Sequence, residues 1–298
     1  MTTPPPENSR EANRLGPGGQ ALQPGLYLVS TPIGNLRDIT LRALDVLAAA
    51  DLVLAEDTRV TRRLLDAHGL TAKLQAYHDH NGERVRPGIL QDLTEGGVIA
   101  LVSDAGTPMV SDPGYKLAAE AIAQGLTVVP VPGASAVLAA LCLSGLPTDS
   151  FTFAGFPPQK QAAREKFLSG FSQCPGSLVF YEGASRIADC LASLRRVFGD
   201  RPAAVCRELT KLHEEARRGS LSELADHYAA AGPPRGEVVI LVGAGEDEAW
   251  DAARVDAALM EALSRMRVKE AAAHIAQLSG QPRRDLYARA LVLKDAGS

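Results

Sequence analysis

The chain has 298 residues, 46% of them hydrophobic and 22% charged, proportions that exclude wholesale disorder and a membrane-embedded composition. Its length allows two compact domains with a small appendage. A formal net charge of -4 gives no overall basic footprint, so any nucleic acid must be gripped by local patches.

In chain order, residues 1–24 are rich in Pro, Gly, Asn and Arg without an apolar centre, which predicts a disordered leader and argues against a secretory signal. From Gly25 onward, short apolar runs alternate with longer helical patterns, the mark of an α/β fold with a mainly parallel sheet. Strands are expected at 26–30, 52–55, 98–102 and 127–131. A helix at 40–49 has Thr40 as its N-cap, and one at 115–124 stops at Gly125. The run Gly145-Leu146-Pro147-Thr148-Asp149 reads as an interdomain connection. After it come strands at 151–153, 177–181, 203–207 and 237–242, with helices at 164–171, 186–196 and 221–230. Past Gly245 only helical patterns remain, and 268–278 and 283–291 form a helix, tight turn, helix. The expected domains are therefore 25–146, 147–245 and a helical tail, 246–298. No run of about 18 apolar residues occurs, so no spanning helix and no membrane partner are expected. Cys142, Cys174, Cys190 and Cys206 lie far apart with no CxxC pair, which disfavours disulfides and zinc and suits a reducing cytoplasm.

Three strand ends carry chemistry, because open α/β sheets bind ligands at the carboxyl ends of their strands. The first strand runs into Thr31-Pro32-Ile33-Gly34-Asn35-Leu36, which lacks the third glycine of a dinucleotide fingerprint. The third runs into Ser103-Asp104-Ala105-Gly106-Thr107-Pro108, followed by Ser111-Asp112-Pro113-Gly114. These two clusters of small turn residues let backbone approach a ligand. The fourth meets Pro132-Gly133-Ala134-Ser135-Ala136, where Ser135 opens a helix whose free N–H groups suit a polar or anionic group.

These loops, with Glu56-Asp57-Thr58-Arg59, Tyr77-His78-Asp79-His80-Asn81, Phe180-Tyr181-Glu182, Arg207-Glu208-Leu209-Thr210-Lys211 and Arg235-Gly236-Glu237, resemble the ribosomal RNA small subunit methyltransferase I family of the tetrapyrrole methylase superfamily. The resemblance covers about 25–245 and, more weakly, the tail. It implies two α/β domains of the tetrapyrrole methylase type with S-adenosylmethionine in the cleft between them. Its contacts would be Pro32, Ser103, Asp104, Ala105, Gly106, Ser135 and Ala136 from the first domain, and Tyr181, Glu182, Leu209 and Gly236 from the second. It further implies 2′-O-methylation of the ribose of a decoding-centre cytidine (C1402) in 16S rRNA, within the small ribosomal subunit, by a cytoplasmic homodimer. The sequence departs from the family pattern where Gly82 follows Asn81 and the family has Glu; Glu83 comes next.

Methyl transfer to a hydroxyl is an in-line displacement, helped by a base that takes the proton. Glu56, Asp57 and His80 are the expected catalytic residues, with His78 and Glu208 as further candidates. Asp57 or Thr58 can equally cap the helix that carries Arg59, Arg62 and Arg63, and His78 and His80 share a face if their segment is extended. No metal is expected, since the His and carboxylate spacing matches no zinc pattern. RNA contacts are expected from Arg59, Arg62, Arg63 and Lys211, with Arg84, Arg86, Arg217-Arg218 and Arg283-Arg284 as lesser clusters. The alternatives are methylation of a tetrapyrrole intermediate, since substrate belongs to the site and not the fold, and a non-catalytic RNA-binding role.

Overall fold

A strand covered on both faces must be apolar at successive positions, and residues 26–29, 52–55 and 98–102 meet that demand. The computed structural model, which describes residues 22–245 and 252–296, places them centrally in a five-stranded sheet. Its strands are β1 (Gly25–Val29), β2 (Leu52–Ala55), β3 (Leu74–Ala76), β4 (Val98–Val102) and β5 (Val128–Val131), ordered β3-β2-β4-β1-β5. Every pairing is parallel. Alternate residues serve opposite layers. Leu26, Leu54, Ile99 and Leu101 pack against α3 (Gly82–Thr94) and α4 (Tyr115–Ala123). Tyr27, Val29, Val53, Ala100 and Val102 pack against α1 (Leu41–Ala49) and α2 (Thr58–Ala67). The expected Thr40 cap is present, its hydroxyl accepting from the Ala43 N–H at 3.1 Å.

Two elements of this layer lie outside the expected set. β3 is a half-buried three-residue edge strand, too short to show alternation, and Pro87 and Gly88 break the apolar period of α3. Most of the expected leader, 1–24, falls outside the described residues. Its last three residues are described: Leu22 packs against the α1/α2 layer, and the Gln23 carbonyl accepts from the Tyr27 hydroxyl at 2.8 Å.

The second sheet holds β6 (Phe151–Phe153), β7 (Ser177–Gly183), β8 (Pro202–Arg207), β9 (Glu215–Ser220) and β10 (Glu237–Val242), ordered β6-β7-β10-β8-β9. Only β6 and β7 pair in parallel; β7–β10, β10–β8 and β8–β9 are antiparallel. The parallel expectation therefore holds for the first sheet, and the second is mixed. Apolar runs report burial on both faces and carry no direction. One face, with Leu178, Phe180, Val205 and Ile240, is covered by α6 (Gln161–Ser169), α7 (Ile187–Phe198) and α8 (Leu221–Ala231). Against the other, Val179, Ala204, Cys206 and Leu241 receive Val137, Ala140 and Leu141 of α5 (Ala136–Ser144). Since α5 leaves the end of β5, it brings the carboxyl edge of the first sheet onto the second.

Both sheets belong to one compact unit, Met1–Gly243; Ala244–Ser298 form another. In that second unit α9 (Ala252–Leu263), α10 (Val268–Ser279) and α11 (Arg283–Ala296) enclose Leu259, Ala271, Ile275 and Leu286. Gly280, at φ 66°, closes α10 in the left-handed conformation that glycine tolerates. Among the described residues no helix is long and apolar enough to cross a membrane. Phe180 is fully buried at the centre of the second core, so Phe180→Ala is expected to destabilise the chain by about 3–5 kcal/mol, measured as a lowered urea midpoint.

Candidate active site

The loops leaving β1, β4 and β5 are rich in small turn residues, and several of their polar groups satisfy one another. The Thr31 N–H donates to the Gly106 carbonyl at 2.9 Å, and the Gly106 N–H returns the bond to the Thr31 carbonyl at 3.0 Å. The Thr31 hydroxyl donates to the Ser103 carbonyl (3.1 Å), and the Ser103 hydroxyl donates to that of Gly106 (3.0 Å). Thr107 joins the third loop, its hydroxyl accepting from Ser30 (3.2 Å) and donating to the Ala134 carbonyl (3.3 Å). The loop after β2 is tied in by Asp104, whose Oδ1 accepts from the Asp57 N–H at 2.9 Å.

Facing these loops are the ends of β7, β8 and β10, and between them lies a cavity of about 510 Å³, within the usual range for small-molecule sites. Ile33, Glu56, Asp104, Ala105, Gly106 and Asp112 line it from the first sheet. Ser135 and Ala136 contribute the start of α5, and Phe156, Tyr181, Glu208, Leu209, Lys211 and Gly236 close it from the second. Ser135 caps α5, accepting from the Leu138 N–H. Phe156 and Tyr181 stack at a tilt with centroids 5.3 Å apart.

Backbone strain collects around this cavity. Among the described residues, the non-glycine positions with positive φ are Met109, Ser111, Glu208 and Thr210, and Ser111 and Glu208 are wall residues. Each such position costs of order 1–3 kcal/mol and persists only where its surroundings enforce it. Glu208 is held by Lys211, Nζ to Oε1 at 2.8 Å, and it leans over Gly236, where a Cβ would stand 2.4 Å from Oε1. Gly34 is equally confined: a Cβ there would lie 2.5 Å from Lys211 Cγ and 2.9 Å from the Leu209 carbonyl. The β1 loop thus meets the β8 loop in close contact.

The first-sheet wall is acidic. Burial, reinforced by the Glu56 and Asp104 charges, pushes the Asp112 carboxyl up to about 6. Burial also raises Glu56, with the Asp104 and Asp79 charges adding to it. The Tyr181 phenol is pushed up to about 12 by burial and by Asp112. These are the shifts expected where like charges share a partly dehydrated space, and such groupings mark functional sites.

Of the expected site residues, this cavity gathers Glu56, Asp104, Ala105, Gly106, Ser135, Ala136, Tyr181, Leu209, Gly236 and Lys211. Others stand elsewhere. Pro32 precedes the wall residue Ile33, and Ser103 is buried in the loop knot. The Asp57 carboxylate caps α2, accepting from the Arg59 N–H at 2.8 Å and its Nε at 3.0 Å, and Arg59 lowers it to about 2. Glu182 is buried on the face of β7 opposite Tyr181, bonded to Arg186 Nε at 2.6 Å, a reversal that the two-residue strand period dictates. The segment with His78 and His80 is a turn and not an extended strand: Asn81 Oδ1 accepts from the His78 N–H, and the His78 carbonyl accepts from the Asn81 N–H. The two rings still approach to 6.0 Å, but His80 is exposed and lines neither this cavity nor the smaller one that shares Asp112 with it. Arg59, Arg62 and Arg63 project from the exposed side of α2. Phe156 and the titratable role of Asp112 were not expected. Phe156 follows the end of β6, so the strand-end rule that picked out the other loops could have found it.

A family model described as Tetrapyrrole (Corrin/Porphyrin) Methylases matches residues 25–225, and one described as RsmI C-terminal HTH domain matches 248–294. A protein of Mesorhizobium japonicum named ribosomal RNA small subunit methyltransferase I is 51% identical over 92% of this chain and 94% of its own length. One of the same name from Halalkalibacterium halodurans is 44% identical over 88% and 93%. The chain belongs to the ribosomal RNA small subunit methyltransferase I family. Among solved structures, a diphthine synthase superposes with a TM-score of 0.58 at 17% identity, covering 74% of this chain and 89% of that one. A cobalt precorrin-4 methyltransferase gives 0.56 at 20% identity, covering 73% and 94%. These two share the fold, whereas family membership rests on the closer sequences.

Gly236 tests the mould directly. Gly236→Ala must force a side chain into φ +85° and displace Glu208. Affinity for S-adenosylhomocysteine, measured by calorimetry, is expected to fall about tenfold or more with an unchanged circular dichroism spectrum.

Proposed function

We propose that this cavity holds S-adenosylmethionine and that the chain methylates the ribose 2′-hydroxyl of a decoding-centre cytidine, C1402 of 16S rRNA. The observation that carries this reading is a cavity at the strand ends with Glu56, Asp104 and Asp112 in its lining, in a chain 51% identical to a small-subunit rRNA methyltransferase. The fit to the donor is chemical. Backbone at Ala105 and the start of α5 at Ala136 offer polar main-chain groups for its amino-acid portion, while Gly106, whose own N–H and carbonyl are taken by Thr31 and Ser103, leaves room for it. Tyr181 and Leu209 give flat and apolar walls for its base. Glu56, Asp104 and Asp112 face the space where a cationic centre is favoured. When bound, the donor supplies a methyl group on a positively charged sulfur.

The chain's own task is placement. Loops locked to one another by the Thr31–Gly106 pair fix the donor cavity, and an aligned approach of the hydroxyl supplies most of the rate. Of the three expected catalytic residues Glu56 faces the cavity, where its carboxylate supports the positive charge. Asp57 is committed to Arg59 and His80 stands outside, so neither enters this mechanism. Arg59, Arg62 and Arg63 on α2 would meet phosphates, since the Asp57–Asp104 bond sets that helix start beside the cavity, and Lys211 would do so at its rim. The reading includes two methylase domains, 25–146 and 147–245, a homodimeric assembly, the small ribosomal subunit as the substrate particle and a cytoplasmic location.

Incubation with labelled donor and under-methylated small subunits is expected to place label on one cytidine ribose in the decoding region. Label in a tetrapyrrole, or none in rRNA, overturns the proposal. Transfer is expected to weaken steeply as salt rises. Affinity for the cationic donor is expected to increase as pH rises through about 6, because Asp112 gains its charge there. Affinity for neutral S-adenosylhomocysteine is expected to change much less; calorimetry at both ends of this range provides the comparison.

A further inference from the structure

The donor cavity shares one wall residue, Asp112, with a smaller cavity of about 330 Å³. Tyr77, His78, Asp79, Arg86, Tyr115 and Lys116 are among its lining residues. Tyr77 is buried among the first-sheet core residues. Tyr115 is different: it opens α4 with 73% of its surface exposed, although an aromatic ring normally contributes its large area to a core or an interface. A bare ring beside a cavity is the platform on which an unstacked nucleobase lies. Lys116 follows it, 70% exposed and only loosely paired with Glu83 at 3.7 Å, within the reach of a backbone phosphate. His78, another lining residue, has a buried Nδ1 with no hydrogen-bond partner among the described residues, an exception to the usual pairing of buried polar atoms.

Resting on the ribose-methylation reading, we propose that this second cavity seats the acceptor nucleotide, with its base against Tyr115 and its hydroxyl at Asp112, which takes the proton. The position of Asp112 decides this assignment. It alone belongs to both linings, so a carboxylate there can touch the acceptor hydroxyl and the space of the transferred methyl together. Glu56 lines only the donor side. In the step, the hydroxyl O–H bond breaks and the proton goes to a carboxylate oxygen of Asp112. The hydroxyl oxygen's electron pair forms the O–C bond, and the S–C bond breaks with its pair left on a neutral thioether sulfur. Asp112 then returns the proton to water.

The seat is tested on the full chain by placing a photo-crosslinking benzophenone amino acid at position 115 and irradiating it with under-methylated small subunits. Reverse transcription is expected to stop at the methylated cytidine or a nucleotide beside it. A cross-link elsewhere, or none from protein that still co-sediments with the subunits, overturns the seat. Tyr115→Ala is expected to weaken subunit binding about tenfold, and Tyr115→Phe, which keeps the ring, to restore most of that loss. Asp112→Asn is expected to slow single-turnover transfer about 100-fold or more while calorimetry gives an unchanged affinity for S-adenosylhomocysteine. An unchanged rate, or a loss of affinity equal to the loss of rate, overturns the proton-accepting role. Failure of the underlying RNA reading looks different, because the unsubstituted chain then neither co-sediments with the subunits nor methylates them, and both proposals fall.

Discussion

The reciprocal pair of backbone hydrogen bonds between Thr31 and Gly106 is the constraint on which the cavity depends. A parallel sheet ends in loops that have no ladder to hold them, and their polar backbone must find partners or face water. Here the loops after β1 and β4 pair with each other, Thr107 binds the loop after β5, and Asp104 binds the start of α2. Four strand ends are thereby fixed as one piece of wall. Gly106 adopts φ +86°, a conformation that glycine takes without the strain a side chain would meet.

The second half of the wall depends on α5. This helix begins at the larger cavity, with its cap Ser135 and its first residue Ala136 in the lining, and continues as an apolar plug against Val179, Ala204 and Leu241. One helix therefore closes the cavity wall and docks one sheet upon the other. With the sheets held in this way, the strained Glu208 backbone, the Lys211 ion pair and Gly236 meet the first-sheet loops at fixed separation. The carboxylates of Glu56, Asp104 and Asp112 are confined together on the opposite side. Their mutual repulsion is the electrostatic cost of a space suited to a cation.

The parts of this arrangement legible in the sequence are those governed by local pattern. β2, β4, β6 and β10 have the expected bounds: β2, β4 and most of β10 are buried apolar runs, and β6, a half-exposed edge strand, is marked by its two phenylalanines just after the turn residues at 145–149. Three cavity-lining loops follow from the rule that strands deliver chemistry at their carboxyl ends. The direction of strands in the second sheet is not local information, and β9, Glu-Ala-Arg-Arg-Gly-Ser, reads as a basic cluster because it is a charged edge strand. Asp112 belonged to an expected loop, but its altered acidity arises from burial and then from Glu56 and Asp104, surroundings that exist only in the folded chain. The burial of Glu182 was legible in principle: adjacent strand residues face opposite ways, so Tyr181 and Glu182 cannot both present side chains to one cavity.

Loops held to one another by main-chain hydrogen bonds also bear on how such proteins diverge. Peptide groups are the same whatever side chains they carry, so loops fixed by them place few demands on residue identity beyond the turns that they need. Structures only 17–20% identical to this chain keep the same fold, as expected if inheritance acts on backbone path more strictly than on composition. Exposed side chains at helix starts and loop tips such as Tyr115, which no such bond holds in place, are then free to vary while the path of the chain stays as it is.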